Sequence, residues 1–212
     1  MPANTKITKR TRNPRGQGDH LREEIVLACI RLLDQSASEL TLSLRSIAKE
    51  AGIAAPSISR HFHDVHEIID TVIARELNAF LRLLYEARSS SQNPRDQIIA
   101  LVQAYVNYGI QSPSRYRVLF SRTYSPDWNE DRHPMVETSP LMAEAFAIVT
   151  DTIQECINIG ISTASDTTLG AVLLWYGLHG LITLRQSITS FPWPDLDVTV
   201  DRILRDSIAL SN

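Results

Sequence analysis

Apolar residues recur along this chain at the three- and four-residue spacing of helices, and strand-like alternation is weak throughout. Leu21, Ile25, Ala28, Cys29, Leu32 and Leu33 form one stripe and predict an amphipathic helix over 21–33. Leu44, Ile47, Ala48 and Ala51 form a second, with Arg45, Lys49 and Glu50 on the wet side. Gly52 follows the last periodic residue and suits the positive φ that ends a helix. The fixed φ of Pro56 fits a first helical turn, so another helix starts there, with Ile58 and Phe62 facing inward and Ser57, Ser59, Arg60 and His61 outward. A connecting helix follows over 67–84. Beyond the polar stretch ARSSSQNPRD, helices are predicted over 94–111, 113–122, 140–160, 166–188 and 195–209. Several open on cap or proline signals, such as Ser112-Pro113, Ser139-Pro140 and Ser165-Asp166. The fold class is therefore all-α, with a long polar loop over 124–138 of the kind that often carries function.

The segment LSLRSIAKEAGIAAPSISRHF, a short helix, a glycine-centred turn and a second short helix, has the layout of a DNA-reading helix-turn-helix. Ala48 is small where the two helices must meet, and Ile53 plugs the core from the turn. The polar outer face of the second helix suits phosphates and base edges. The same corner also occurs as a plain packing motif in all-α proteins. Charge sharpens the choice: residues 1–66 hold 10 Lys/Arg against 7 Asp/Glu, whereas 67–212 hold 11 against 17, so a net charge of −3 conceals a basic end and an acidic body. Lys6, Lys9, Arg10, Arg12 and Arg15 precede the first acid, Asp19, among Thr, Asn, Pro and Gly. Such a segment buries no core, and 1–18 reads as a disordered basic arm able to reach phosphates or a minor groove. The expected organisation is that arm, a DNA-binding domain over 19–66 and a ligand-binding and dimerisation domain over 67–212.

The stretch LTLSLRSIAKEAGIAAPSISRHF, with the helix before it and HEIIDTVIARELNAFL after it, resembles the N-terminal domain of tetracycline-repressor (TetR) family regulators. The resemblance implies an all-helical homodimer that acts as a ligand-responsive transcriptional repressor on a palindromic operator. Position by position, Arg45 matches a base-contacting arginine of the family, and Ala55, Pro56, Ser57, Ser59 and His61 fall on recognition-helix contact positions. Lys49, Arg60 and the arm residues Lys9, Arg10 and Arg12 join them as DNA-facing candidates. The family usually places Tyr where this chain has Ser59 and Lys where it has Val65, so two phosphate holders are missing. Ala55 is too short to hydrogen-bond a base edge and would touch a thymine methyl instead.

Within the predicted helix over 166–188, Gly177 and Gly180 interrupt an otherwise apolar LLWYGLHGLITL. Each costs about 1 kcal/mol against Ala in a helix interior, an expense that close backbone approach offsets. Trp175, His179 and Gly180 resemble the Trp-His-Gly motif of one TetR C-terminal type. That resemblance implies a four-helix dimer interface from the last two helices, with Leu174, Leu178, Leu181 and Ile203 as candidate contacts. Family ligand sites lie in the C-terminal body, where Tyr105, Phe120, Phe146, Trp175 and His179 would line a mostly apolar pocket for a hydrophobic or aromatic effector. Most aromatics at helical spacing are nonetheless packing residues, and His179 also reads as a structural histidine.

No apolar run reaches the roughly 20 uncharged residues of a membrane span, and no secretory core is present, so a cytoplasmic protein is expected. Cys29 and Cys156 read as buried, reduced packing residues. HExxH, paired CxxC, GxSxG, Walker and GxGxxG motifs are absent, and neither enzymatic activity nor a cofactor is expected. His61, His63 and His66, with Asp64 and Glu67 nearby, form the one histidine cluster, but its rings need not converge and no metal is assigned. The competing reading is a helical ligand-binding or metal-sensing module with weak or lost DNA binding.

Overall fold

The computed structural model describes residues 18–35, 42–120 and 139–211. The arm, with Lys9, Arg10 and Arg12, and the loop over 124–138 lie outside the described residues. Among those described, all regular structure is helical: α1 (Gly18–Gln35), α2 (Leu44–Ala51), α3 (Ala55–Ile58), α4 (Val65–Ser89), α5 (Pro94–Gln111), α6 (Pro113–Phe120), α7 (Pro140–Asn158), α8 (Thr167–Ser187) and α9 (Leu196–Ile208). A single bridge pairs Ser162 with Leu210. The chain divides into two compact units inside α4, after Val72.

In the first unit α1 packs on α2 and α2 on α3. Its core joins Ile25, Ala28, Cys29 and Leu33 of α1 to Ile47, Ala48, Ile58 and Phe62, all buried. Ile68, Ile69 and Val72, from the first turns of α4, are buried with this unit as well, so its core continues past residue 66. The Arg22 guanidinium lies 4.5 Å from the centroid of the Phe62 ring and donates to Thr71 Oγ1 at 3.3 Å.

In the second unit α5 contacts α6, α7, α8 and α9, and α8 is held between α7 and α9. Asn93 caps α5 through the Arg95 N–H at 2.9 Å, Asp166 caps α8 through Leu169 at 2.9 Å, and Asp195 caps α9 through Val198 at 3.0 Å. Neither Cys29 nor Cys156 is in a disulfide, and both are buried; burial pushes the Cys156 thiol up to about 11, which keeps it protonated.

Two expectations about α8 change. By length and composition it could cross a membrane, with a mean hydropathy of 1.4 over its best window, contrary to the reading that no segment could. Its apolarity has another source, since Leu174, Leu178 and Ile182 face the core while Leu169, Leu173, Tyr176 and Leu184 form a second, exposed apolar stripe. The two glycines also differ. A Cβ on Gly177 would come 2.6 Å from Ile203 Cγ2, so close approach of α9 explains it, whereas a Cβ on Gly180 would meet nothing within 4 Å beyond the backbone of its own helix.

Candidate functional site

The first candidate is the polar surface of the α2–α3 corner. α2 begins with a reciprocal cap in which Ser43 Oγ accepts from the Ser46 N–H at 3.1 Å and Ser46 Oγ accepts from the Ser43 N–H at 2.9 Å. It ends on Gly52, at φ 67° and ψ 33°. There the Gly52 N–H reaches Lys49 O at 3.1 Å and the Ile53 N–H reaches Ala48 O at 2.9 Å, a paired closure that seats Ile53 against the helix end. α3 starts at Ala55, with Pro56 in its first turn and no side-chain cap. Its single turn extends through the His61 and Phe62 N–H groups, which both reach Ile58 O, at 2.8 and 3.0 Å.

This corner turns Ile47, Ala48, Ile58 and Phe62 inward and leaves Arg45, Lys49, Pro56, Ser59 and Arg60 exposed, with Ala55, Ser57 and His61 half-buried beside them. The acids near the histidine cluster close the start of α4: Asp64 Oδ1 accepts from the Glu67 N–H at 3.0 Å and Glu67 Oε2 accepts from the His63 N–H at 2.7 Å. Glu50, on the wet side of α2, pairs with Arg31 at 2.7 Å. Arg45 and Lys49 thus stand at the surface of a rigidly closed turn, an arrangement suited to a polyanion.

The second candidate is a cavity of about 530 Å³ inside the second unit. α4 contributes Phe80 and Leu84, α5 Leu101, Val102 and Tyr105, α6 Leu119 and Phe120, α7 Met142, Ala145 and Phe146, and α8 Ala171, Trp175 and Leu178. Tyr105 and Trp175 bring the polar side-chain atoms of the described wall. Trp175 Nε1–H donates to Tyr105 Oη at 3.0 Å; Tyr105 Oη lies 2.8 Å from Tyr116 Oη, and Tyr116 Oη lies 2.6 Å from His179 Nδ1. The Phe80, Tyr105, Tyr116 and Phe120 rings pack edge-on or tilted, with centroids between 4.9 and 6.0 Å apart. Burial pushes the Tyr105 hydroxyl up to about 12 and raises Tyr116 further, so both stay protonated. Burial lowers His179, which favours its neutral form.

Of the expected ligand residues, Tyr105, Phe120, Phe146 and Trp175 line the cavity, whereas His179 sits behind Tyr116, stacked on it with centroids 5.5 Å apart. The expected dimer contacts need correcting, because Leu174, Leu178 and Leu181 are buried inside the protomer and Ile203 packs on Gly177 of its own chain. Leu174 and Leu178 are in fact cavity wall. The sequence pattern did not single out Phe80, and it offered Tyr116 only as one of the packing aromatics of the C-terminal body. Phe80 lies on the connecting helix, which was read only as a connector, and nothing in the local pattern separates a wall residue from core; the Tyr116 hydroxyl gains its role from a histidine 63 positions away.

The family model for the tetracyclin repressor-like C-terminal domain matches residues 98–207. Solved structures share the fold. A TetR family transcription regulator from Marinobacter aquaeolei is 15% identical, with a TM-score of 0.67 over 92% of this chain and 98% of that one. The transcriptional regulator FadR from Bacillus subtilis, in complex with stearoyl-CoA, is 13% identical, with a TM-score of 0.69 over 88% and 97%. PfmR, a TetR family regulator from Thermus thermophilus, is 18% identical, with a TM-score of 0.63 over 85% and 97%.

Proposed function

The chain belongs to the tetracyclin-repressor-like (TetR) family of transcription regulators, and on that premise we propose that it is a cytoplasmic, ligand-responsive repressor that binds a palindromic operator as a homodimer. The observation that carries the DNA-binding part is the α2–α3 corner, where Arg45, Lys49, Ser59 and Arg60 are exposed around a closed turn whose apolar side is fully packed. Two such corners in one dimer would enter successive major grooves roughly 34–36 Å apart. The exposed α8 stripe of Leu169, Leu173, Tyr176 and Leu184, with Val198 of α9, supports a dimer through these two helices.

The effector is a hydrophobic or aromatic small molecule, a reading supported by a described cavity wall without Lys or Arg. The Bacillus subtilis relative holds an acyl-CoA; in this chain the described wall suits an apolar chain better than a phosphorylated headgroup. α4 supplies Phe80 and Leu84 to the cavity and its first turns to the DNA-binding unit. A ligand that binds one arrangement of α4 better than another therefore shifts the spacing of the two corners, by no more than its difference in affinity allows.

Selection of bound DNA from a random pool, followed by an affinity-against-salt series on the winner, tests this reading. A palindromic motif with a steep salt slope is expected. Arg45→Ala should weaken the winner by about 1–3 kcal/mol and relax one position, whereas Lys49→Ala should weaken all sequences alike and lower the slope by about 1. The rival reading, a ligand-binding module that has lost DNA binding, draws on the exposed Ser59 and half-buried Val65 where the family holds phosphate. It predicts no enrichment above non-specific binding.

A further inference from the structure

The hydrogen-bond inventory of the cavity limits which polar group an effector can carry. Tyr105 Oη has one O–H to donate and two lone pairs to accept. The Trp175 N–H, which can only donate, occupies one lone pair at 3.0 Å. Tyr116 occupies a second position at 2.8 Å, so one position is left. In one setting Tyr105 donates to Tyr116, Tyr116 donates to His179 Nδ1, and a lone pair of Tyr105 is left over. In the other, His179 Nδ1–H donates to Tyr116, Tyr116 donates to Tyr105, and the Tyr105 O–H is free. Neutral imidazole serves both settings, because its proton can sit on Nε2 in the first and on Nδ1 in the second.

Apart from Tyr105 and Trp175, the described lining is Phe, Leu, Ile, Val, Met and Ala. A carboxylate would be buried there without a cation among the described lining residues. An alcohol loses more on leaving water than a carbonyl, since one polar partner restores only part of its hydrogen bonding. A carbonyl oxygen is satisfied by the single O–H that the second setting frees.

Building on the reading of this cavity as the effector site, we propose that Tyr105 donates to a neutral carbonyl oxygen, of a ketone, ester or lactone, on an otherwise apolar ligand, and that binding reverses the Tyr105–Tyr116–His179 chain. Each tyrosine keeps its proton and only turns its hydroxyl. His179 takes a proton from water at Nδ1 and releases one to water from Nε2, so no net charge is created. His179 thereby changes tautomer with the occupancy of a cavity it does not line.

The experiment uses the full chain at pH 8 and a neutral apolar dye, N-phenyl-1-naphthylamine, displaced by decyl methyl ketone, by the secondary alcohol of the same skeleton and by dodecanoate. The ketone should displace the dye at about five- to tenfold lower concentration than the alcohol, the worth of one net hydrogen bond. Dodecanoate should be weakest. Nitrogen NMR of His179, assigned with His179→Gln, should show Nδ1 passing from acceptor to N–H form when the ketone binds to the wild-type chain. Tyr105→Phe should abolish the ketone preference. Tyr116→Phe should keep the preference and lose the His179 response. Ketone binding with an unchanged His179, or a ketone preference that survives Tyr105→Phe, would overturn the proposal while leaving the cavity as the effector site. No dye uptake by the wild-type chain would overturn the effector-site reading and this proposal together.

Discussion

Gly177→Ala is a single-methyl test of how α8 and α9 meet. The added Cβ would lie 2.6 Å from Ile203 Cγ2 and 3.5 Å from Cγ1. Ordinary carbon contacts begin near 3.5 Å, so the methyl must retreat by about 1 Å. Ile203 is β-branched on a helix, where one χ1 rotamer dominates, and it cannot swing clear without strain. Overpacking of this kind costs about 1–3 kcal/mol, against roughly 1 kcal/mol gained by replacing Gly with Ala inside a helix. The net expectation is a loss of about 0–2 kcal/mol, at most a few degrees of Tm for a chain of this length. With Ile203→Ala in place, the nearest remaining atom is Cβ at 3.7 Å, an ordinary contact. The same Gly177→Ala change should then stabilise by about 0.5–1 kcal/mol, giving a coupling of about 1–3 kcal/mol in the double-mutant cycle. Urea unfolding of the four proteins at one fixed protein concentration measures it. If Gly177→Ala stabilised equally in both backgrounds, α9 would not lie where Ile203 touches Gly177, and the explanation of this glycine would be wrong.

Burial lowers His179 below its ordinary pKa of about 6.5, so the unfolded chain binds its proton first as pH falls. The contribution of neutral His179 is therefore complete above about pH 6.5 and is lost progressively below it; between pH 7 and pH 5 the unfolding midpoint of His179→Gln should fall less than that of wild type, and equal falls would refute the sign. Ser43→Ala removes the side-chain half of the α2 cap, leaving the backbone N–H of residue 43 to donate to Ser46 Oγ, and should cost about 1 kcal/mol by urea unfolding; no loss would mean that the Ser43 hydroxyl is dispensable. Leu173→Glu places a charge on the exposed stripe of α8 and should yield monomer by light scattering, whereas Leu174→Glu should instead prevent folding, because that side chain is inside the protomer. A Leu173→Glu dimer as tight as wild type would exclude the stripe as the interface.

Local chemistry made the helices and the corner legible in the sequence. A one-sided apolar stripe with a left-handed glycine after it, as in Leu44 to Gly52, admits few alternatives, and the proline at the start of α3 marks the next helix in the same way. Those signals depend on near neighbours, so the sequence alone determined the all-α class, the turn at Gly52 and the exposure of Arg45, Lys49 and Arg60. α8 is different, because it is apolar on more than one face. Periodicity could not choose which stripe turns inward, and the tertiary structure put Leu174, Leu178 and Leu181 inside and left Leu169, Leu173 and Tyr176 outside. The cavity likewise joins side chains from Phe80 to Leu178, brought together only by packing of five helices. His179 left the expected pocket for the same reason: Tyr116, from α6, stands between it and the wall, and its 2.6 Å contact converts a candidate ligand residue into the end of a hydrogen-bond chain. Which face is buried, and which polar group meets which, are decided by contacts distant in sequence, and only the folded chain supplies them.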